Sequence, residues 1–277
     1  MERDIHAPDA QGFIPGVYNY CDRLCERCRF VRQCRVGIAE MDDVGTPDAP
    51  IGGGAAEDLR KRLEELMGLT PEDVERDAGK EDDADDAEGL GSDFDPADLE
   101  PDPAWEKRME EKRRQTDAHP LSHRSHTYME LVHEWLEAHA EEFKRKGLDM
   151  YKRPEITLPV GAHTPEMIVL REAIHEIGWF HTMLHVKCRR AVQGKLEDGD
   201  WDDDPHQSDW NGTAKLALHI VDRCQVAWDM VAEMMPEEAG EADTSRELLK
   251  RIGEGLKQEF PDADRFIRAG FDAPRQP

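Results

Sequence analysis

Residues 164–188 read TPEMIVLREAIHEIGWFHTMLHVKC, and the spacing of their apolar positions decides the fold class. Leu170, Ile174, Ile177, His181, Leu184 and Cys188 recur every three or four positions, a heptad-like seam along one face of a helix. The stretch opens on Thr164-Pro165-Glu166, an N-cap followed by proline at the first helical position, where a missing N–H costs nothing. Three further segments carry the same period. One runs from about His126 to Lys146, stops at Gly147, and has Met129, Val132, Leu136, His139 and Phe143 on its apolar face. Another spans Gly212 to Met235, ends before Pro236, and presents Ala217, Ile220, Val221, Cys224, Trp228 and Val231. The last opens on a capping box, Thr244 with Glu247, and stops before Pro261; a short piece from Asp262 to Ala269 closes at Gly270. Four amphipathic helices with one stripe each to bury predict a mostly α protein, a four-helix-type bundle over residues 122–277.

Upstream the composition changes. The whole chain of 277 residues is 38% apolar and 35% charged, with a formal charge of −26. So polar a chain has too little apolar area to order every residue. The excess acid sits mainly in residues 40–121. Glu81 to Glu100 holds ten acids and no Lys or Arg, a stretch that repels itself and is expected to stay unfolded. Two short helices can interrupt this long acidic disordered linker. Leu59, Leu63, Leu66 and Met67 have helical spacing up to Gly68, and Ala104 to Gln115 is helix-prone but almost wholly charged. The acidity argues against sequence-independent nucleic-acid binding, which needs clustered Lys and Arg. No run approaches the length of a membrane span, and the start Met1-Glu-Arg-Asp-Ile-His lacks the apolar core of a secretion signal. The expectation is a cytoplasmic protein with reduced thiols, no membrane partner, and a redox or protein partner that the sequence does not name.

Residues 1–39 carry the chemistry. Cys21, Cys25, Cys28 and Cys34 are spaced C-x3-C-x2-C-x5-C within fourteen residues, so their thiolates can converge on one metal centre. Zinc usually takes two C-x2-C knuckles separated by a longer loop, whereas here there is one. A [4Fe–4S] cluster spreads its four sulfurs farther apart and suits this compact loop better. Both metals stay open, as do thiols that bind nothing. Arg23, Arg27, Arg29, Arg32 and Arg35 surround the cysteines. They would stabilise a negatively charged centre and lower the thiol pKa values, pair with the acidic linker or the bundle surface, or, as the least favoured alternative, contact nucleic acid. Tyr18, Tyr20 and Phe30 can form a dry shell around the site.

The segment Cys25-Glu-Arg-Cys28-Arg-Phe-Val-Arg-Gln-Cys34, with spacing C-x2-C-x5-C, is similar to the stretch that holds a [4Fe–4S] cluster in WhiB-like regulators and in the fumarate–nitrate regulator family. The resemblance covers ten residues and implies cluster type, not regulation; the WhiB-like proteins carry their remaining Cys much farther upstream than Cys21. The opening C-x3-C-x2-C also resembles the radical SAM motif, but Cys34 offers a fourth ligand where those enzymes leave one iron open, and no β/α pattern follows. Tyr20-Cys21-Asp22-Arg23-Leu24-Cys25-Glu26-Arg27-Cys28 resembles the opening of an uncharacterised bacterial family with a Cys-rich N-terminus and a mostly helical remainder. Trp179-Phe180-His181 with Val186-Lys187, and Asn211-Gly212-Thr213-Ala214-Lys215 with Asp222-Arg223, are similar to that family too. This resemblance adds weight to Cys21, His181 and Asp222 and implies no known activity.

Glu130-x-x-His133 and Glu172-x-x-His175 look like ferritin-like di-iron ligand pairs. Helical phase sets both glutamates away from their apolar stripes, and with 31 Glu and 12 His such pairs arise by chance. The histidines inside the stripes are His139 and His181, with His185 one turn beyond. A second metal or substrate site would use His181, His185, His139 and Asp222; otherwise these are core histidines bonded to carbonyls or carboxylates. Three functions follow from the residues: an iron–sulfur protein in electron transfer or redox sensing, a zinc-stapled interaction protein, or a metal-dependent oxidoreductase with its site in the bundle.

Overall fold

The computed structural model describes residues 7–43, 103–148, 164–197 and 204–272. The acidic run of residues 81–100 and the Leu59–Met67 segment lie outside them. The chain divides into two compact units, one formed by Met1–Gly37 with Lys107–Pro277 and the other by Ile38–Glu106. Among the described residues there are six α-helices and no strand: α1 Arg35–Asp43, α2 Pro103–Ala118, α3 Pro120–Lys146, α4 Pro165–Glu197, α5 Asp209–Met234 and α6 Ala239–Glu259. None of these helices is long and apolar enough to cross a membrane.

The four long helices make the core. α4 packs on α5 and α3, α5 on α6, and α6 returns to α3, closing a ring of four. The α4 seam behaves as its spacing predicts: Leu170, Ile174, Ile177, Leu184 and Cys188 are buried, and His181 lies half-buried at the edge. Thr164 caps the helix by accepting from the Met167 N–H at 3.3 Å. All six apolar residues of the α5 stripe are buried as well. Each such aliphatic side chain contributes about 1.5–3 kcal/mol on leaving water.

α3 departs from its predicted bounds. It starts at Pro120 rather than His126, with the His119 side chain accepting from the Leu121 N–H at 3.2 Å. Its first two turns bury Leu121, Ser122 and Ser125, and the serines leave no apolar period to read. Downstream, Tyr128 and Trp135 are buried while Met129 is only half-buried. The two rings enter the core because their polar tips are satisfied there. Trp228 Nε1 donates to Tyr128 Oη at 3.1 Å, and Trp135 Nε1 donates to Glu238 Oε2 at 2.7 Å. Gly147, at φ 73°, ends the helix in the left-handed conformation that glycine tolerates.

The predicted capping box of the last helix is not used. α6 begins at Ala239, directly after a 3₁₀ turn at Pro236–Glu238. Thr244 falls in the second turn and donates to Gly240 O at 2.8 Å, while Glu247 pairs with Arg251. Proline at 236 supplies the turn, and Ala239 and Ala242 carry the helix through it.

Candidate metal centre

The N-terminal segment folds as a loop with its own small core. Ile14, Val17 and Cys34 are buried, with Tyr18, Phe30, Val36, Ala269 and Phe271 packed around them. Two 3₁₀ turns, Cys25–Arg27 and Val31–Gln33, compress the chain between the cysteines. All four predicted ligands, Cys21, Cys25, Cys28 and Cys34, line one small cavity walled by Val17, Leu24, Val31 and Phe271. Its volume is about 10 Å³, room for roughly one water. The Gly37 N–H points at Cys34 Sγ (3.3 Å), and Cys21 Sγ donates to Tyr18 O at 3.5 Å. Burial pushes the Cys21 thiol pKa up. None of the six cysteines is in a disulfide. Among the described residues no group of three or more His, Cys, Asp or Glu side chains is arranged to hold a metal ion. The four thiols thus share one cavity wall, within a loop folded down to a water-sized space.

Asp22 is the hinge pin of this loop. Arg23 sits at φ 58°, a left-handed conformation that costs a non-glycine residue about 1–3 kcal/mol. Three contacts hold its neighbour in place. Asp22 Oδ1 accepts from the Leu24 N–H (3.2 Å), Oδ2 from Arg223 (2.5 Å), and its carbonyl from Trp179 Nε1 (2.9 Å). Arg223 also forks onto Glu176 and lies over the Phe180 ring at 4.6 Å. Beside it Arg27 pairs with Glu172, so both glutamates of α4 that face the loop are neutralised.

Tyr20 anchors the other side. Its hydroxyl donates to Asp209 at 2.9 Å, and its ring meets Phe266 edge-on at 4.6 Å. Both rings close over Gly212, where a Cβ would come within 2.6 Å of each. Phe30 packs against Phe271 at 5.2 Å, and Arg29 donates to the carbonyls of Gly270 and Phe271. Asp272 closes this tail. Burial alone would raise its pKa, but hydrogen bonds from Arg268 and Lys215 outweigh that and hold it down at about 2. Arg27, Arg29 and Arg35 are thus engaged with Glu172, with backbone carbonyls and with Asp9 respectively.

The bundle residues proposed for a second site are not brought together. His139 Nδ1 faces Trp135 O at 2.8 Å and Nε2 faces Glu238 Oε1 at 2.9 Å, two acceptors that leave no lone pair for a metal. His181 Nδ1 donates to Gly178 O at 2.6 Å, and His185 Nδ1 meets Ser125 Oγ at 3.1 Å, both on the side of α4 that faces α3. Asp222 is exposed on α5. Glu130 pairs with His126 on the α3 surface, and Glu172 is taken by Arg27. Neither cysteine spacing nor apolar period singles out Asp22, Trp179, Gly212, Arg223 or Phe271. Four of the five lie in the segments that resemble the uncharacterised bacterial family, which is the one signal the sequence offers for them. No family model matches the chain, and neither the curated proteins nor the solved structures contain a match.

Proposed function

We propose that the protein carries a [4Fe–4S] cluster on Cys21, Cys25, Cys28 and Cys34 and serves in electron transfer or redox sensing. One observation supports this reading: four thiols crowded into one short loop line a single cavity with apolar walls. When bound, such a cluster supplies a one-electron couple whose potential follows from burial and from hydrogen bonds to sulfur. Here Val17, Leu24, Val31 and Phe271 supply an apolar wall, the Gly37 N–H is aimed at the Cys34 sulfur, and Asp22 and Tyr20 fasten the loop to α4 and α5. The second reading is a zinc staple that holds the loop for a protein partner. The small size of the cavity favours it, since a single ion with Zn–S bonds of about 2.3 Å needs less room than a cubane.

Metal and sulfide analysis of protein purified without oxygen tests both. The expected result is iron and acid-labile sulfide in equal amounts, with a brown colour that Cys28→Ser removes. Stoichiometric zinc without sulfide replaces the first reading by the second. Protein free of both metals, after growth and reconstitution with each, overturns the metal centre altogether.

A further inference from the structure

A second concavity, of about 490 Å³, lies between α4 and α5 beside the cysteine loop, its edge formed by Arg27. That volume falls within the roughly 300–1,000 Å³ of small-molecule sites. Ala173 and Ala227 form a buried floor, and Ile168, Val169 and Val226 line it while 50%, 43% and 57% exposed. Aliphatic side chains so exposed and so grouped around a hollow mark a recognition surface.

The charges around the groove select the ligand. Arg27 and Glu172 neutralise each other, as do Arg223 and Glu176, so neither arginine is free for an incoming anion. That leaves Asp222, a carboxylate on the exposed side of α5 with no hydrogen bond or ion pair to a described residue, and His219 one turn before it. A carboxylate ligand would meet Asp222, the one groove acid without an ion-pair partner among the described residues, and the net charge of −26 repels it from a distance as well.

We propose that this groove binds an elongated apolar molecule bearing a cationic amine, its chain laid over Ala173, Ala227 and Val226 and its ammonium group on Asp222. The site does not depend on the metal reading, because none of its contacts passes through a cysteine.

The test uses the full chain with N-phenyl-1-naphthylamine, a neutral dye that fluoresces in apolar pockets, displaced in turn by decylamine, decanol and decanoate at neutral pH. Decylamine is expected to displace the dye at about a fifth of the concentration decanol needs, the ratio for an ion pair of about 1 kcal/mol, with decanoate weakest. Asp222→Asn should bring decylamine to the level of decanol and leave decanol unchanged. Val226→Lys, at an exposed position, should lose dye binding while keeping its helical circular dichroism. Equal displacement by all three, an amine preference that survives Asp222→Asn, or full dye binding by Val226→Lys each overturns the proposal. So does a dimer in the native chain that Val226→Lys dissociates, because the groove would then be covered by a second copy.

Discussion

Single side chains decide whether the cysteine loop stays seated. Arg223 is the clearest case, since it satisfies Asp22 and Glu176 together. Arg223→Met leaves two partly buried carboxylates without their donor, and urea unfolding should show a loss of about 1–3 kcal/mol. Gly212→Ala pushes a methyl into Tyr20 and Phe266. Overpacking of that kind costs about 1–3 kcal/mol, and near-ultraviolet circular dichroism of Tyr20 should change with it. Cys188 and Cys224 lie fully buried in the bundle core, away from the loop. Burial pushes both thiols up to about 12, so neither supplies thiolate at pH 8. Iodoacetamide followed by peptide mass spectrometry should leave both unmodified in the folded protein and label both in urea. The four loop cysteines were legible because they fall within fourteen residues of sequence. Their supports were not, because Asp22 meets Trp179 and Arg223 across 157 and 201 positions, and no local pattern encodes such a pairing.

At the scale of helices, the α3–α4 seam holds two histidine pairs. His133 and His181 stack at 6.3 Å, and His126 meets His185 edge-on at 5.2 Å. Burial, against the opposing hydrogen bond to Gly178 O and helped by the neighbouring His133, holds His181 below its ordinary value of 6.5; burial, then His126 and Arg189, does the same for His185, against a smaller pull from Asp117. Both are therefore neutral in the fold where the unfolded chain would already bind protons. As pH falls through 6.5, unfolding takes up protons that the folded seam refuses, and stability drops until the folded values are passed. The urea midpoint should be lower at pH 5.5 than at pH 7.5, and a His181→Gln, His185→Gln double variant should narrow that difference. Helices with long, regularly spaced apolar stripes, α4 and α5, are legible directly. The apolar period of α3 starts only near its seventh residue, because buried serines fill the turns before it, Ser125 with its hydroxyl donating to Ser122 O at 3.0 Å. The start of α6 at Ala239 is hidden in the sequence because Thr244 and Glu247 imitate a helix start inside the helix.

Across the whole molecule, the first and last described segments form one structure. Phe30, Arg29 and Cys34 from the N-terminal loop share contacts with Gly270 and Phe271, and Asp272 is tied to Lys215 and Arg268. Phe271→Ala removes part of the wall of the cysteine cavity. Cys34, 7% exposed in the intact protein, should then react faster with a maleimide in metal-free samples, while Cys188 stays protected. That closure has a consequence for biosynthesis. The thiols leave the ribosome first, yet the ring that shuts their cavity is made about 240 residues later, as the span from Arg29 to Phe271 records. At about 5–20 residues per second, the nascent loop waits tens of seconds with its sulfurs open to the cell. Whatever loads or oxidises them has that interval in which to act.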